Sequence, residues 1–431
     1  MRFIHTADWH LGNQMHGIER KEESAAFLKW LKDCIIEKNA ESLVISGDIF
    51  DTANPSVEAR RLYYTFLASL ADSCCKNIVI VGGNHDSAVM LDSAKDLLDI
   101  LNIHVIGSVN NISPEKMCFE LKDAAGKVNG ICMALPFMRE LELRNFLSDS
   151  EKYADSDLYS LAYKKIYSAV FAEAEKIRAG RALPVIATGH LYASDLEGRL
   201  SLKKSSEKSD DGVKVLDVLG TLGNVAPSVF PPVDYVALGH IHYSTMVAKN
   251  PAIRYSGSPF VMGFDEAKEA HYILCVDVEK KAADEKSVLN VEKIETPPTY
   301  LYRRICGTIA EVKEEIEKLA ENSESEKNSE KKLPLFIEIC YKRELGVSAQ
   351  NFLDDAIRKL PENIRVVSWK VMDAEKFFSS SSPDKFEANE IKNLDDKEIF
   401  TQLILSKSGL DGESEEGKAV LDKFLPLFLQ I

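Results

Sequence analysis

The sequence predicts an α/β protein whose functional end lies at the carboxyl ends of its strands. Three observations carry this. Short apolar runs rich in β-branched residues recur at residues 2–6, 42–46, 77–81, 183–187 and 234–238, the mark of buried strands. Amphipathic stretches separate the early runs, at residues 21–38, 56–71 and 88–101, as in a layered α/β arrangement. Each run also leads directly into a polar motif: Asp8-x-His10, Gly47-Asp48-x-x-Asp51, Gly83-Asn84-His85-Asp86, Gly189-His190 and Gly239-His240-x-His242. Polar groups at the carboxyl ends of such strands converge on one crevice. Widely spaced motifs can therefore make a single cluster.

The elements follow in order. The helix at 21–38 sets Phe27, Leu28, Leu31 and Ile35 on one face, which packs on the core. The next, at 56–71, follows Asn54-Pro55 and carries Leu62, Tyr63, Phe66, Leu67 and Leu70; the third, at 88–101, carries Leu91, Leu97, Leu98 and Leu101. Glycines such as Gly47, Gly83 and Gly239 permit the sharp turns and close backbone approach that crowded side chains need. Residues 276–294 alternate apolar and charged positions and continue the sheet up to Pro297-Pro298. Beyond lie a strand at 301–307, a helix at 309–320, a strand at 334–340, a helix at 348–360 and a strand at 365–371, which together make a small α/β domain. The polar, low-complexity stretch 321–332 reads as a loop within it. Serines 379–382 and Pro383 read as a linker. Amphipathic helices at 396–406 and 417–431 then need a surface for their apolar stripes, either a partner or the preceding domain. The boundaries are thus 1–275, 276–298 (connecting strand and linker), 299–375 and 376–431.

The motifs offer the carboxylates Asp8 and Asp48, the imidazoles His10, His190, His240 and His242, and the amide oxygen of Asn84. No thiolate belongs to the set, which argues against a structural zinc site. Mixed oxygen and imidazole donors suit manganese, iron or zinc in a hydrolytic role. Asp48 lies between the ligand groups and is the natural bridge between two ions. Two cations about 3.5 to 4 Å apart can activate water, hold a phosphate oxygen and stabilise the leaving oxygen, which is phosphoester hydrolysis. A lone Asp-x-His is a weak signal, and Gly-Asn-His-Asp could be an ordinary turn. Five of the nine histidines nevertheless fall inside these motifs. His5, His16, His104 and His271 stand alone and read as core or surface residues.

Composition sets bounds. The 431 residues can bury a large core. The 8 cysteines show no C-x-x-C spacing and read as reduced thiols of a cytoplasmic protein. The first strand begins at once, leaving no room for a signal peptide, and no apolar run approaches the roughly 20 residues of a membrane span. No phosphate-binding loop of the G-x-x-x-x-G-K-[ST] type occurs. A net charge of −15 opposes unaided binding to nucleic acid. Arg199, Lys203, Lys204 and Lys208 could offset it locally, or could simply form a solvated loop.

At these motifs the chain resembles the calcineurin-like metallophosphoesterases. Ile4-His-Thr-Ala-Asp-Trp-His-Leu-Gly12, Gly47-Asp-Ile-Phe-Asp-Thr-Ala-Asn-Pro55, Gly83-Asn-His-Asp-Ser87, Thr188-Gly-His190, Ala237-Leu-Gly-His-Ile-His242 and Arg254-Tyr-Ser-Gly-Ser-Pro259 look like the branch of DNA-repair nuclease subunits that act beside a coiled-coil ATPase. The likeness is strong over residues 1–275 and architectural beyond.

It implies a β-sandwich flanked by helices, a small C-terminal α/β capping domain and a helical tail that binds the ATPase. It also implies two manganese ions, one held by Asp8, His10, Asp48 and His242, the other by Asp48, Asn84, His190 and His240. His85 would be no ligand but would face the substrate and protonate or stabilise the leaving oxygen. Asp51 would orient His85, although archaeal and eukaryotic relatives carry histidine there. The implied activity is that of a 3′ to 5′ double-strand exonuclease and a single-strand and hairpin endonuclease, with no nucleotide site in this chain. Pairing through the helices at 56–71 and 88–101 would give a homodimer within a heterotetramer. A small-molecule phosphodiesterase and a silent scaffold for the ATPase are the alternatives, the first opposed by the extra C-terminal architecture and the second by the intact motifs.

Overall fold

Two six-stranded sheets form the centre of the computed structural model. It describes residues 1–110, 112–147, 158–193, 224–282, 285–325, 333–342 and 348–372. The first sheet runs, edge to edge, through Val288–Glu295, Tyr272–Glu279, Arg2–Thr6, Ser42–Ser46, Asn77–Val81 and Ile103–Ile106. Its last four strands are parallel, and Tyr272–Glu279 pairs antiparallel to Arg2–Thr6. The second sheet runs through Thr245–Met246, Ile253–Tyr255, Tyr235–Gly239, Val185–His190, Val128–Met133 and Cys118–Lys122. Its four inner strands are parallel.

The parallel strands read as unbroken apolar runs because both of their faces are covered. Between the sheets, Phe3, Val44, Val79 and Val276 from the first meet Cys132, Ile186, Tyr235 and Ala237 from the second in one buried cluster. Outside the first sheet pack the helices Lys21–Glu37 and Val57–Ser69. Lys21–Glu37 buries Phe27, Leu28, Leu31, Cys34 and Ile35, a spacing of three, four and seven that keeps one stripe facing inward. Val57–Ser69 starts where the Ser56 hydroxyl accepts a hydrogen bond from the Ala59 amide at 3.1 Å. Outside the second sheet, Leu158–Arg178 buries Tyr163, Ile166, Tyr167 and Val170. The resulting order is helix, sheet, sheet, helix, which is the expected sandwich with helical flanks.

One helix differs from expectation. Instead of one run over 88–101 there are two short helices, Ala88–Asp92 and Lys95–Asp99. Ala94 leaves helical geometry at φ −111°, ψ 10°. Asp92 turns its carboxylate to accept the Gly107 amide at 3.0 Å, which ties the break to the end of the edge strand.

Leu301–Gly307, Leu335–Lys342 and Ile364–Met372 form a third sheet, packed by the helices Ile309–Ser325 and Ala349–Ile357. The first of these helices runs to Ser325, so part of the stretch predicted to be a loop is helical. Contacts divide the chain into two units, Met1–Val371 and Met372–Ile431. The linker and tail of the second, predicted over 376–431, lie outside the described residues, as do Arg199, Lys203, Lys204 and Lys208.

The expected core histidine is His5, fully buried, its Nδ1 3.0 Å from the Tyr235 hydroxyl and its Nε2 3.2 Å from the Leu238 carbonyl. None of the 8 cysteines is in a disulfide. Among the described residues no helix is long and apolar enough to cross a membrane.

Candidate active site

The five motifs meet where the two sheets present the carboxyl ends of their parallel strands. Asp8, His10, Asp48, Asn84 and His85 follow strands of the first sheet. His190 closes Val185–His190, and His240 and His242 follow Tyr235–Gly239 in the second. Asp8, Asp48 and His190 bring donor atoms within 4.8 Å of one another, as do Asp8, His10 and His242.

The backbone is bent to achieve this. Asp8, His10, Asp48 and His240 all have positive φ, at 55°, 44°, 49° and 101°. Such conformations cost a non-glycine residue about 1–3 kcal/mol and persist only where surroundings impose them. Here hydrogen bonds across the loops impose them: Asp8 N to Gly47 O at 3.0 Å, His10 N to Asp48 O at 3.0 Å and Leu11 N to Ile49 O at 2.9 Å. Two glycines make the approach possible. A Cβ on Gly83 would run into the backbone nitrogen and Oδ1 of Asp48, and one on Gly239 would run into the Ser46 carbonyl.

His190, His240 and His242 each face a particular partner. His190 donates from Nδ1 to the Ser46 carbonyl at 2.8 Å, which turns Nε2 toward Asp48 Oδ2 at 3.3 Å and Asn84 Oδ1 at 3.0 Å. His240 Nδ1 lies 3.0 Å from the same Asn84 oxygen, and its amide donates to both carboxylate oxygens of Asp8, at 3.0 and 3.1 Å. His242 Nδ1 faces Glu266 Oε1 at 3.4 Å. His10 has Asp48 Oδ2 3.7 Å from Nε2 and Asp51 Oδ1 3.4 Å from Nδ1.

Electrostatics follow from crowding these groups out of water. Burial works against charge on His190, but Asp48 and Asp8 beside it prevail and raise it to about 9. Burial, with Asp48 nearby, lifts Asp8 above the usual carboxylate range. Burial pushes Asp48 the same way, yet His190 and His10 pull harder and leave it low. His240 falls to about 3 through burial and the neighbouring His190.

A divalent cation fits this donor set. His10 is 3% exposed, yet neither of its ring nitrogens makes a hydrogen bond. Buried polar atoms of that kind call for a partner. Aspartate oxygens and imidazole nitrogens that face one another without thiolates are donors for a hydrolytic metal.

One expected contact is replaced by another. The sequence predicts that the Asp51 carboxylate orients His85. Instead His85 Nδ1 bonds the Asp51 backbone carbonyl at 2.8 Å, while the carboxylate accepts Asn13 Nδ2 at 2.8 Å and faces His10. The carboxylate is taken up by Asn13 and His10, which leaves the backbone carbonyl to hold His85. His85 itself is exposed at the mouth of the crevice.

Sequence reasoning did not single out Asp86, Glu266 or Ser46 as supports. Asp86 is buried and accepts the amides of Ile49, Phe50 and Gly83 at 3.1, 2.9 and 2.8 Å, binding two loops together. Burial and the nearby Asp48 push its carboxyl to about 6.

Fold and site together define a metal-dependent phosphoesterase, with ligand-type side chains from two facing sheets lining one crevice. The profile of the calcineurin-like phosphoesterase family matches residues 1–244. Among curated proteins, SbcD of the Escherichia coli strain K12 nuclease SbcCD is 29% identical over 361 residues, covering 84% of this chain and 81% of that protein. The SbcD protein of Rhodobacter capsulatus is 33% identical, with 66% and 68% covered, and that of Bacillus subtilis is 31% identical, with 64% and 66% covered. A solved β-glucosidase from Exiguobacterium antarcticum superposes over 82% of this chain and 77% of its own at 10% identity, but with a TM-score of only 0.18. The chain belongs to the calcineurin-like phosphoesterases, within the SbcD family of nuclease subunits.

Proposed function

We propose that the chain is a two-manganese DNA phosphodiesterase, the nuclease subunit of an SbcCD-type complex with an SbcC ATPase. The observation that carries the reading is the convergence of Asp8, His10, Asp48, Asn84, His190, His240 and His242 on one crevice with the exposed His85 at its mouth. Asp8, His10, Asp48 and His242 would hold one ion and Asp48, Asn84, His190 and His240 the other. When bound, the pair supplies an activated water and neutralises the charge of the phosphate.

The chain's own residues do the rest. The Ser46 carbonyl and Glu266 orient His190 and His242 so that their other nitrogens point inward, as outer partners do for ligating histidines. The Asp51 carbonyl holds His85 by Nδ1 and leaves Nε2 to deliver a proton to the departing sugar oxygen, a role suited to an imidazole near neutral pH. The His85 amide donates to Asp48 Oδ1 at 2.9 Å, which couples the acid to the proposed bridge.

In this reading DNA ends are degraded 3′ to 5′, and single strands and hairpins are cut internally. The chemistry is independent of ATP, and SbcC controls access, in the service of DNA repair, recombination and replication in the cytoplasm. Residues 299–375 cap the DNA, and the tail at 376–431 grips SbcC. Two chains pair through Val57–Ser69 and the short helices after Ser87, where Val89, Leu97 and Ile100 are 83%, 66% and 79% exposed, within a heterotetramer.

The test is cleavage of a labelled hairpin and a linear duplex in manganese by the wild type and His85→Ala, with and without SbcC and ATP. The reading holds if the wild type cuts, SbcC with ATP extends duplex cutting, and His85→Ala keeps its metal but loses activity by about 100-fold or more, on the order expected for general acid catalysis. Hydrolysis of a small phosphodiester with no DNA cut under any condition would retain the metal site and overturn the substrate.

A further inference from the structure

Arg20 is a buried cation whose surroundings are not explained by stability alone. Its guanidinium carbon lies 4.7 Å from the ring centroid of Phe260 and 5.7 Å from that of Tyr302. Its Nε donates to Glu23 Oε2 at 2.6 Å, and the Tyr302 hydroxyl donates to the same oxygen at 3.4 Å. A well-packed apolar side chain often stabilises such a place as well as a buried ion pair does.

The other arm of Arg20 gives it a task. Nη1 donates to Asn13 Oδ1 at 3.4 Å, and that contact decides which way round the Asn13 amide sits. With its oxygen toward arginine, its NH2 must face Asp51, and Nδ2 donates to Asp51 Oδ1 at 2.8 Å. That oxygen lies 3.4 Å from His10 Nδ1. His10 makes no hydrogen bond at that nitrogen, but the charge of a carboxylate beside it favours the proton there and leaves the other nitrogen free to ligate. For His10 the free nitrogen is Nε2, which faces Asp48.

We infer that Asn13 and Arg20 are positioning residues that set the tautomer and ring orientation of His10. Tyr302, on the first strand of the C-terminal sheet, extends the same chain of contacts through Glu23. The affinity of the site for metal is thereby sensitive to the seating of that sheet. The inference rests on the reading of His10 as a metal ligand.

The experiment is calorimetric titration of Mn2+ into the full metal-free chain, wild type against Asn13→Ala, Asn13→Asp and Tyr302→Phe, with thermal unfolding of each recorded beside it. Asn13→Ala is expected to weaken manganese binding about tenfold or more, the usual effect of losing an outer partner. Asn13→Asp keeps the size and the oxygen facing Arg20 but sets a second carboxylate against Asp51 in place of the donor, so it is expected to fail in the same way; a fall in metal-free unfolding temperature that matches the loss of affinity in both variants would make Asn13 structural and overturn the positioning role. Tyr302→Phe removes only a hydroxyl and is expected to weaken binding a few-fold without altering the unfolding temperature of the metal-free chain. Wild-type affinity in both Asn13 variants overturns the positioning role, and wild-type affinity in Tyr302→Phe overturns the link to the C-terminal sheet. A wild-type chain that binds no manganese overturns the reading of the site itself, and this inference with it.

Discussion

Gly83 and the Asp48 carboxylate are so close that a single methyl group separates a working crevice from a distorted one. Gly83→Ala would force its Cβ against Asp48, the proposed bridge between ions. The expected cost is about 1–3 kcal/mol of stability from overpacking, with a much larger loss of phosphodiester hydrolysis. Urea unfolding beside a rate assay measures both, and unchanged hydrolysis would contradict the close approach. A second residue controls the response to acid. His5 is buried as the neutral imidazole, and burial holds it at about 3 in the folded chain against 6.5 for an ordinary histidine. Below pH 6.5 the unfolded chain takes a proton that the folded chain refuses. The His5 contribution is therefore complete above pH 6.5 and is lost as pH falls toward 3, with a slope approaching about 1.4 kcal/mol per pH unit. His5→Gln is expected to flatten the stability profile between pH 6.5 and 4 relative to wild type; equal slopes would place the sensitivity elsewhere. At this scale the candidate donors were legible because aspartate, asparagine and histidine directly follow β-branched runs. Their supports were not. The Ser46 and Asp51 contacts use backbone carbonyls, which every residue possesses, and Glu266 lies 24 positions beyond His242 in irregular chain.

Elements show the same division. The helix Val57–Ser69 begins where a serine after Asn54-Pro55 suggests a start, and its cap is formed by the Ser56 hydroxyl. Ser56→Ala is expected to cost about 1 kcal/mol, read as a lower unfolding midpoint with no change in metal binding; a loss of metal would show that this helix does more than flank the sheet. The stretch after Ser87 was less legible. Leucines at helical spacing predict one continuous helix over 88–101, whereas the chain breaks at Ala94. Beside the break the Gly107 amide bonds Asp92, a contact between segments 15 residues apart that local periodicity cannot register. The strands of the second sheet were only partly visible as well. Ile253–Tyr255 is only three residues long, and Cys118–Lys122 mixes charged with apolar residues, so both gain their place from neighbours rather than from a strong apolar pattern.

For the whole molecule, the alternation of strands and helices over 301–371 was apparent from the order of apolar runs, whereas two facing sheets were expected only from the family resemblance and the contacts that join Tyr302 to Arg20 and Glu23 were not foreseen. Two predictions belong here. If Val89, Leu97 and Ile100 form part of the proposed contact between copies, Leu97→Glu combined with Ile100→Glu is expected to yield a monomer by sedimentation with manganese affinity unchanged. A dimer that persists would assign the pairing to another face. Ions bound by the folded chain alone stabilise it by mass action, about 2.7 kcal/mol at a hundredfold excess over the dissociation constant. Chelation is therefore expected to lower the unfolding temperature, and an unchanged temperature would argue against a tight site.

Asp8, Asp48 and Asn84 are carried by one sheet of the sandwich, in the loops that follow its strands, and His190, His240 and His242 by the end of a strand and a following loop of the other. An ion held between them would act as a rivet as well as a reagent. Substitutions that let the sheets slide would then appear first as metal loss, before any change in secondary structure. In the cell, scarcity of the ion would reduce how long the enzyme lasts as well as how fast it works.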